Sequence, residues 1–155
     1  MSLLLKTTKI INEWTDYNKH MNLSFYILVF DKAAEKILSQ FKMGEEAALK
    51  TKRSTMVVET HTTYNNEVKE NDDVDVYLSF CNHDKKRLHY KLEMYEKSKN
   101  ILSATTEVLT LYINLDLRKV AEFEKEKVII MDKFIEENNQ KFKFDNLQFS
   151  NKLKK

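Results

Sequence analysis

Residues 22–42 carry a helical pattern that is apolar on nearly every side in its first half, and no other segment constrains the fold as strongly. Apolar side chains recur at steps of three and four residues, and further apolar residues fill the gaps between them. A helix of this kind needs other elements around most of its circumference. We therefore predict a long buried helix, with Asn22 as its N-cap and Gly44, the single glycine of the chain, as its C-cap.

After this helix the chain changes to a two-residue period. Apolar and polar residues alternate through residues 73–80 and again through 87–94, which is typical of antiparallel strands with one buried face. Three further predicted strands and a C-terminal amphipathic helix cover residues 5–13, 54–64, 101–115 and 121–139. This order predicts an α+β domain in which a curved antiparallel sheet wraps the long helix. Other α+β folds in which a sheet surrounds a helix would give similar patterns.

The chain has 155 residues and a formal net charge of +2, which gives no electrostatic argument for binding nucleic acid or a membrane surface. We predict one domain over residues 1–140 and a polar, basic tail over residues 141–155 whose last residues are frayed. We find no signal peptide and no membrane-spanning stretch, so we expect a cytoplasmic protein. The single cysteine, Cys81, excludes an intramolecular disulfide, and the four histidines lack the spacing of metal ligands, so we predict no metal site.

The segment Trp14–Asn22 collects ionisable and amide side chains directly before the buried helix. Backbone N–H groups are unpaired at a helix N-terminus, and the helix dipole favours negative charge there. Asp16, His20 and Asn22 therefore lie where side chains can act on a carbonyl group or on water. From the residues alone, an Asx-turn is the better interpretation of Asp16, a structural role that of His20, and a helix cap that of Asn22.

The pattern Asp-x-x-x-His-Met-Asn over residues 16–22, followed by an apolar helix, resembles the active-site loop of hotdog-fold acyl-CoA thioesterases of the 4-hydroxybenzoyl-CoA thioesterase type. Residues 57–64 resemble the second strand of that family, and residues 67–76 resemble the turn into its third strand. Residues 84–89 and 104–107 are most similar to a subgroup associated with betainyl-CoA and related short acyl-CoAs. The resemblance extends over most of the chain.

Two positions depart from the family pattern. Lys19 stands where the family usually has glycine, so the turn around Asp16 is expected to differ or to be strained. Tyr112-Ile-Asn114 stands where the subgroup usually has His-Val-Asp. The resemblance therefore does not extend the functions of those polar groups to this chain.

The resemblance implies a hotdog fold and hydrolysis of an acyl-CoA thioester, with no cofactor beyond the coenzyme A of the substrate. It implies a catalytic site at Asp16, His20 and Asn22, in which Asp16 acts as a base for water or as a nucleophile. It also implies active sites between subunits, and hence a homodimer or a dimer of dimers.

Five residues are candidates for contact with the acyl group: Trp14, Tyr17, Tyr26, Glu59 and His61. Aromatic rings beside a carboxylate can hold a quaternary ammonium group, so we predict a preference for a short cationic acyl group. Glu59 and His61 lie two residues apart and share one face of a predicted strand. A polar patch on an open face or a subunit interface is the alternative for that pair.

Lys85, Lys86, Arg87 and His89 are candidates for contact with the phosphates of coenzyme A, because lysine and arginine bind phosphate well. A solvated hairpin turn is the alternative for this basic cluster. The alternative function is a non-catalytic hotdog protein that binds acyl-CoA or a protein partner. Lys19 favours that alternative, because a bulky residue in place of glycine could close the site.

Overall fold

The computed structural model describes residues 2–155, which form one antiparallel sheet and three α-helices. The strands are β1 (Leu3–Lys9), β2 (Arg53–Tyr64), β3 (Asp73–His83), β4 (Arg87–Glu96), β5 (Ile101–Asn114) and β6 (Lys119–Val120). The helices are α1 (Leu23–Gln40), α2 (Glu45–Thr51) and α3 (Lys125–Asn138). The sheet has the order β1-β3-β4-β5-β2, and β6 pairs with the end of β5. The predicted class, a curved antiparallel sheet around a long helix with a C-terminal helix, is confirmed.

The sheet curls because four of its strand pairs contain a change of register. Such irregularities bend a strand and increase its local twist. They lie between Leu4 and Lys6, Val57 and Glu59, Leu78 and Phe80, and Met94 and Tyr95. The bend allows the sheet to enclose one side of α1 and to share a core with it.

Helix α1 is buried along one side of its length, and the side chains that share the core are Tyr26, Val29, Phe30, Ala33, Ala34 and Ile37. The prediction that its first half is buried on most sides is only partly met within one chain. Leu23 is 61% exposed and Ile27 is 42% exposed. Apolar side chains of the helix therefore remain open at its N-terminal end.

The predicted cap of α1 is correct at its start and wrong at its end. Asn22 is the N-cap, and its side chain accepts a hydrogen bond from the backbone N–H of Ser24. Helix α1 ends at Gln40 with Phe41 as its C-cap, and the left-handed residue that follows is Lys42, with φ of 57°. Gly44 instead precedes α2, a short helix that the sequence patterns did not predict, and its φ of −75° requires no glycine.

Other boundaries moved by a few residues. Strand β1 ends at Lys9, before the end of the predicted strand. A short 3₁₀ helix, Asn12–Trp14, follows it. Helix α3 begins at Lys125 instead of residue 121, so Phe123 packs on the sheet side of Tyr112 from outside the helix.

The C-terminal tail is packed against the domain, so the prediction of a frayed end is wrong. Phe142 and Phe149 are buried, and the Lys143 N–H donates to the carbonyl oxygen of Ser79. Near the end of the chain the Lys154 N–H donates to a carboxylate oxygen of Asp84 at 2.9 Å. The basic composition of the tail gave no indication that Phe142 and Phe149 would be buried.

The sheet ends at β1 on one side and at β2 on the other, where β2 forms an open edge. Strand β2 pairs with β5 along one side only, and every residue from Met56 to His61 is exposed. Three consecutive apolar residues, Met56, Val57 and Val58, lie on this edge. A long edge with unpaired backbone groups and apolar side chains is a site where another strand can add.

None of the helices over residues 2–155 has the length and apolar character needed to cross a membrane.

Within residues 2–155, seven residues other than glycine have positive φ: Lys19, Lys42, Lys52, Asn71, Asn100, Arg118 and Asn146. Left-handed backbone is sterically unfavourable for residues with a Cβ atom. The chain carries this steric cost at several turns because it has only one glycine. Lys19, with φ of 67°, stands in the loop before α1 and shows the strain that its departure from the family pattern predicted.

We predict that Lys19→Gly raises the free energy of unfolding by about 0.5–1 kcal/mol. The relief of left-handed strain exceeds the additional entropy that glycine gives to the unfolded chain. Thermal denaturation should show a Tm increase of about 1–4 °C. The control is Lys36→Gly, an exposed position inside α1, which should lower stability by about 1 kcal/mol. A Tm that falls equally in both variants would contradict strain at Lys19.

Candidate active site

The loop before α1 is a small closed hairpin. Thr15 and Met21 form an isolated bridge, and the Asp16 N–H donates to the carbonyl oxygen of His20 at 3.2 Å. The Lys19 N–H donates to the carbonyl oxygen of Asp16 at 2.9 Å. These bonds fix the backbone on which Asp16 and His20 are carried.

The hairpin is anchored to the connection between β2 and β3. The backbone N–H of Met21 donates to the carbonyl oxygen of Val68 at 2.7 Å. Met21 and Val68 are both buried. The loop before α1 and the loop after β2 therefore form one wall.

The side chain of Asn22 connects the helix to Asp16. Its Oδ1 accepts from the Ser24 N–H at 3.1 Å, and its Nδ2 donates to Oδ2 of Asp16, also at 3.1 Å. One amide thus caps α1 and orients the carboxylate at the same time. A residue that only capped the helix would not need a donor.

The surroundings of Asp16 favour its charged form. The backbone N–H of Asn18 donates to Oδ1 at 2.8 Å, and this bond is the main reason that the pKa of Asp16 lies below its usual value. The Asn22 amide is the second cause, and the charge of His20 adds a smaller contribution. Asp16 is therefore a carboxylate at neutral pH, ready to accept a proton or to attack a carbonyl carbon.

A cavity of about 380 Å³ opens beside Asp16. The lining residues are Asp16, Asn18, His20, Met21, Asn22, Leu23, Tyr26, Tyr64, Asn65, Asn66 and Glu67. The three predicted catalytic residues therefore meet at one cavity. The ring of His20 is held loosely, with Nδ1 3.4 Å from the carbonyl oxygen of Met21.

Of the predicted aromatic contacts, only Tyr26 lines this cavity. Trp14 stacks on Phe25 with ring centroids 5.9 Å apart, and Lys32 Nζ lies 6.0 Å from its ring. Tyr17 is 91% exposed on the outside of the hairpin. Neither Trp14 nor Tyr17 belongs to the cavity wall, so the structure separates them from the predicted substrate site.

Seven wall residues were not among the predicted site residues, and four of them, Tyr64, Asn65, Asn66 and Glu67, come from the end of β2 and the connection after it. Their approach to Asp16 depends on the long-range bond between Met21 and Val68. Tyr64 ends the segment that resembled the family's second strand, and Glu67 begins the segment that resembled the turn into its third strand, which was the available signal.

Glu59 and His61 lie elsewhere, on the exposed edge strand. Lys152 Nζ lies 3.9 Å from a carboxylate oxygen of Glu59. His61 lines a different cavity, on the side of the sheet that the C-terminal tail covers. The structure does not bring this pair to Asp16 within one chain.

The basic residues of the β3–β4 turn differ in their exposure, and they lie far from the Asp16 cavity. Lys85 and Lys86 are exposed, whereas Arg87 donates from Nη1 to Oδ2 of Asp84 at 3.0 Å. The turn lies near Tyr112 of β5, while the Asp16 cavity lies near Ser103. The stretch of β5 between Ser103 and Tyr112 is about 30 Å long.

His89 is fully buried, so it is not available to a phosphate, and the prediction of a surface contact there is wrong. It does face away from its apolar neighbours, as predicted, but the C-terminal tail covers it. Its Nε2 lies 2.7 Å from Oε1 of Glu107. The Glu107 carboxylate also accepts the backbone N–H groups of Gln148 and Phe149.

Burial lowers the pKa of His89 even though Glu107 opposes the shift. The pair therefore holds the tail in place with a neutral imidazole. Over residues 2–155, no group of three or more His, Cys, Asp or Glu side chains is arranged to bind a metal ion.

Comparison with known proteins identifies the family of the chain. Residues 12–134 match the model of the thioesterase-like superfamily. The betainyl-CoA thioesterase of Pseudomonas aeruginosa is 33% identical over 128 residues, which cover 81% of this chain and 80% of that protein. The chain belongs to the thioesterase-like superfamily.

Solved structures show the same hotdog fold. A hypothetical protein from Staphylococcus aureus, solved in complex with CoA, superposes with a TM-score of 0.80 at 22% identity, over 96% of this chain and 91% of that chain. A DHNA-CoA thioesterase from Staphylococcus aureus gives a TM-score of 0.78 at 17% identity, over 87% and 92% of the two chains. The resemblance and the fold that it implied are therefore confirmed, and the family is one of thioester hydrolases.

We predict that Asn22→Asp moves the acidic limb of the kcat/KM profile of this thioesterase-like protein to higher pH. The replacement can still cap α1 but puts a negative charge beside Asp16 and removes a donor, so the pKa of Asp16 rises. The active carboxylate then protonates at a higher pH as the solution is acidified. Initial rates of CoA release against pH provide the measurement.

The matched control is Asn22→Ser, which keeps a capping oxygen without adding a charge. Its acidic limb should shift less than that of Asn22→Asp, while both variants retain helical content by circular dichroism. Profiles identical to the wild type in both variants would show that the Asn22–Asp16 bond does not tune the reacting carboxylate.

Proposed function

We propose that this protein hydrolyses a short-chain acyl-CoA, with a preference for a cationic, betainyl-like acyl group, to the free acid and CoA. The observation that carries the proposal is the charged carboxylate of Asp16, which lies beside the N-terminus of α1 in an open cavity. A carboxylate in this position can act as a base or as a nucleophile next to a group that polarises a carbonyl.

In the first route Asp16 accepts a proton from water while the water oxygen adds to the thioester carbonyl carbon. The tetrahedral intermediate then expels the CoA thiolate, which takes up a proton to give the thiol. In the second route the carboxylate itself attacks, the thiolate leaves and is protonated, and water cleaves the resulting anhydride. Both routes consume one thioester and one water, and both release one acid and one thiol.

The N-terminus of α1 supplies the group that stabilises the developing oxyanion. The Ser24 N–H is taken by Asn22, and the Phe25 N–H donates to the Asn22 carbonyl oxygen. Among residues 2–155, no oxygen accepts from the Leu23 N–H. Leu23 lines the cavity, so its N–H is placed to bind the carbonyl oxygen as negative charge develops.

Two observations support a short acyl group with a positive charge. The P. aeruginosa relative is named for betainyl-CoA, and the cavity beside Asp16 is lined by aromatic and acidic side chains. A site for a quaternary ammonium requires aromatic faces and negative charge. Tyr26 and Asp16 provide one of each.

The side chain of Lys19 does not support the non-catalytic alternative. Lys19 is exposed and does not line the cavity. The replacement of glycine therefore strains the turn without closing the site.

We predict that Asp16→Asn lowers kcat on betainyl-CoA by at least about 100-fold, because the amide cannot act as base or nucleophile. The measurement is the release of free thiol from betainyl-CoA and from its neutral isostere, 3,3-dimethylbutyryl-CoA. Circular dichroism and the Tm of the variant serve as the fold control. A folded variant that keeps kcat within about threefold of the wild type would remove Asp16 from the mechanism, since the lost barrier would be below ~1 kcal/mol.

We further propose a homodimer formed by antiparallel pairing of two β2 edges. Pairing would cover the exposed Val57 and Val58 and would satisfy the unpaired backbone groups. It would also bring the far end of one subunit toward the Asp16 end of the other. In that arrangement Lys85 and Lys86 approach a bound CoA only from the second subunit.

Light scattering at micromolar concentration should give at least twice the 18.5 kDa mass of one chain. The double variant Val57→Glu/Val58→Glu should give the monomer mass, because four like charges would meet at the paired edges. Leu117→Glu, an exposed apolar position outside β2, is the matched control and should leave the mass unchanged. A monomeric wild type would contradict the pairing.

A further inference from the structure

We propose that Tyr64 and Glu67, together with Tyr26, form the surface that binds the cationic end of the acyl group. This inference rests on the proposed function and assigns the recognition of the charge to residues of the β2–β3 connection. It replaces Trp14 and Tyr17, which the structure places outside the cavity.

The charges of the cavity wall favour a cation. Two carboxylates, Asp16 and Glu67, line it, and the lining residues include no lysine or arginine. The chain as a whole carries a net charge of +2, so the negative wall is a local feature and not a consequence of composition. A pocket walled by one sign of charge attracts the opposite sign.

Two aromatic rings lie beside these carboxylates. The rings of Tyr26 and Tyr64 meet edge to face, with centroids 5.3 Å apart and an interplanar angle of 87°. Tyr26 is buried, whereas Tyr64 is 48% exposed and offers ring surface to the cavity. The exposed ring of Tyr64, with Tyr26 packed behind it and a carboxylate in the same wall, suits the size and charge of a trimethylammonium group.

Glu67 is close enough to Tyr26 for its charge to act on the phenol. Burial is the main reason that the pKa of Tyr26 is raised, and the Glu67 carboxylate contributes to the same shift. The Tyr26 hydroxyl therefore stays neutral, and it donates to the carbonyl oxygen of Asn66 at 3.4 Å.

Lys69 is the neighbouring cation with which a substrate must compete. Its Nζ lies 3.2 Å from Oε1 of Glu67, but both side chains are more than half exposed. Such an exposed pair is screened by water and contributes little. Lys69 does not line the cavity, so a bound ammonium can share the Glu67 carboxylate from the cavity side.

The segment that carries this surface is fixed before substrate arrives. The backbone N–H groups of Asn65 and Asn66 both donate to the carbonyl oxygen of Ser103, at 2.8 and 3.1 Å. The Asn66 side chain donates to the carbonyl oxygen of Leu102 at 2.7 Å. These bonds join the end of β2 to β5, so Tyr64 and Glu67 are held by the sheet and not by a free loop.

The test measures kcat/KM for betainyl-CoA and for 3,3-dimethylbutyryl-CoA, two thioesters of equal shape that differ in one positive charge. The quantity compared is the ratio of the two values. Glu67→Gln should lower this ratio about two- to fivefold, mainly through the KM for betainyl-CoA, because an ion pair with a half-exposed carboxylate is worth up to about 1 kcal/mol. Tyr64→Leu should lower it as well, whereas Tyr64→Phe should keep it close to the wild-type ratio, because phenylalanine retains the ring face.

Glu70→Gln is the matched control. Glu70 lies in the same connection and accepts a bond from Asn12 Nδ2 at 3.3 Å, but it does not line the cavity. Its ratio should equal that of the wild type. An equal fall in Glu70→Gln and Glu67→Gln would reduce the effect to general surface charge and would overturn the proposal.

A binding experiment separates this inference from the proposed function. Calorimetry with the Asp16→Asn variant measures the affinity for intact betainyl-CoA and for the neutral isostere, with and without Glu67→Gln. If the wild type cleaves both thioesters and Glu67→Gln leaves the rate and affinity ratios unchanged, Glu67 does not recognise the charge and only the inference fails. If neither thioester is cleaved but Glu67→Gln still selectively weakens betainyl-CoA binding, the proposed hydrolysis fails and the recognition surface stands.

Discussion

The burial of α1 is the constraint on which the rest of the structure depends. Its apolar side chains can leave water only if a sheet bends around them, and the register changes in the strands supply that bend. Once α1 is enclosed, its N-terminus comes out at one end of the sheet. The loop before α1 must then cap the helix, close a hairpin and contact the β2–β3 connection in the same region.

Asn22 links the capping of α1 to the charge of Asp16. The helix needs an oxygen at its N-cap, which aspartate or serine would provide equally well. The amide gives that oxygen together with a separate N–H donor for Asp16, whereas aspartate has no donor and serine carries both functions on a single oxygen. The same side chain thereby orders the helix start and keeps the neighbouring carboxylate charged.

Local patterns in the sequence predicted the long helix, the antiparallel strands and the meeting of Asp16, His20 and Asn22, because these features depend on residues close together in the chain. They did not predict Tyr64 and Glu67, whose position depends on backbone bonds between distant parts of the chain, from Met21 to Val68 and from Asn65 to Ser103. The tail was misjudged for a related reason. Its lysines and asparagines predict a solvated segment. Phe149 and the nearby backbone N–H groups instead contact His89 and Glu107, which lie far earlier in the sequence.

The tail also limits where a further copy of the chain can pack. Alternation along β4 sends His89 to the face of the sheet opposite Tyr90, and Phe149 lies over that imidazole. A second sheet stacking on this face would have to remove Phe149 and expose the carboxylate of Glu107, which accepts two backbone N–H groups from the tail. Packing of that kind would uncover a buried charge, so the tail opposes it, whereas the β2 edge and the exposed side of α1 carry no such covering.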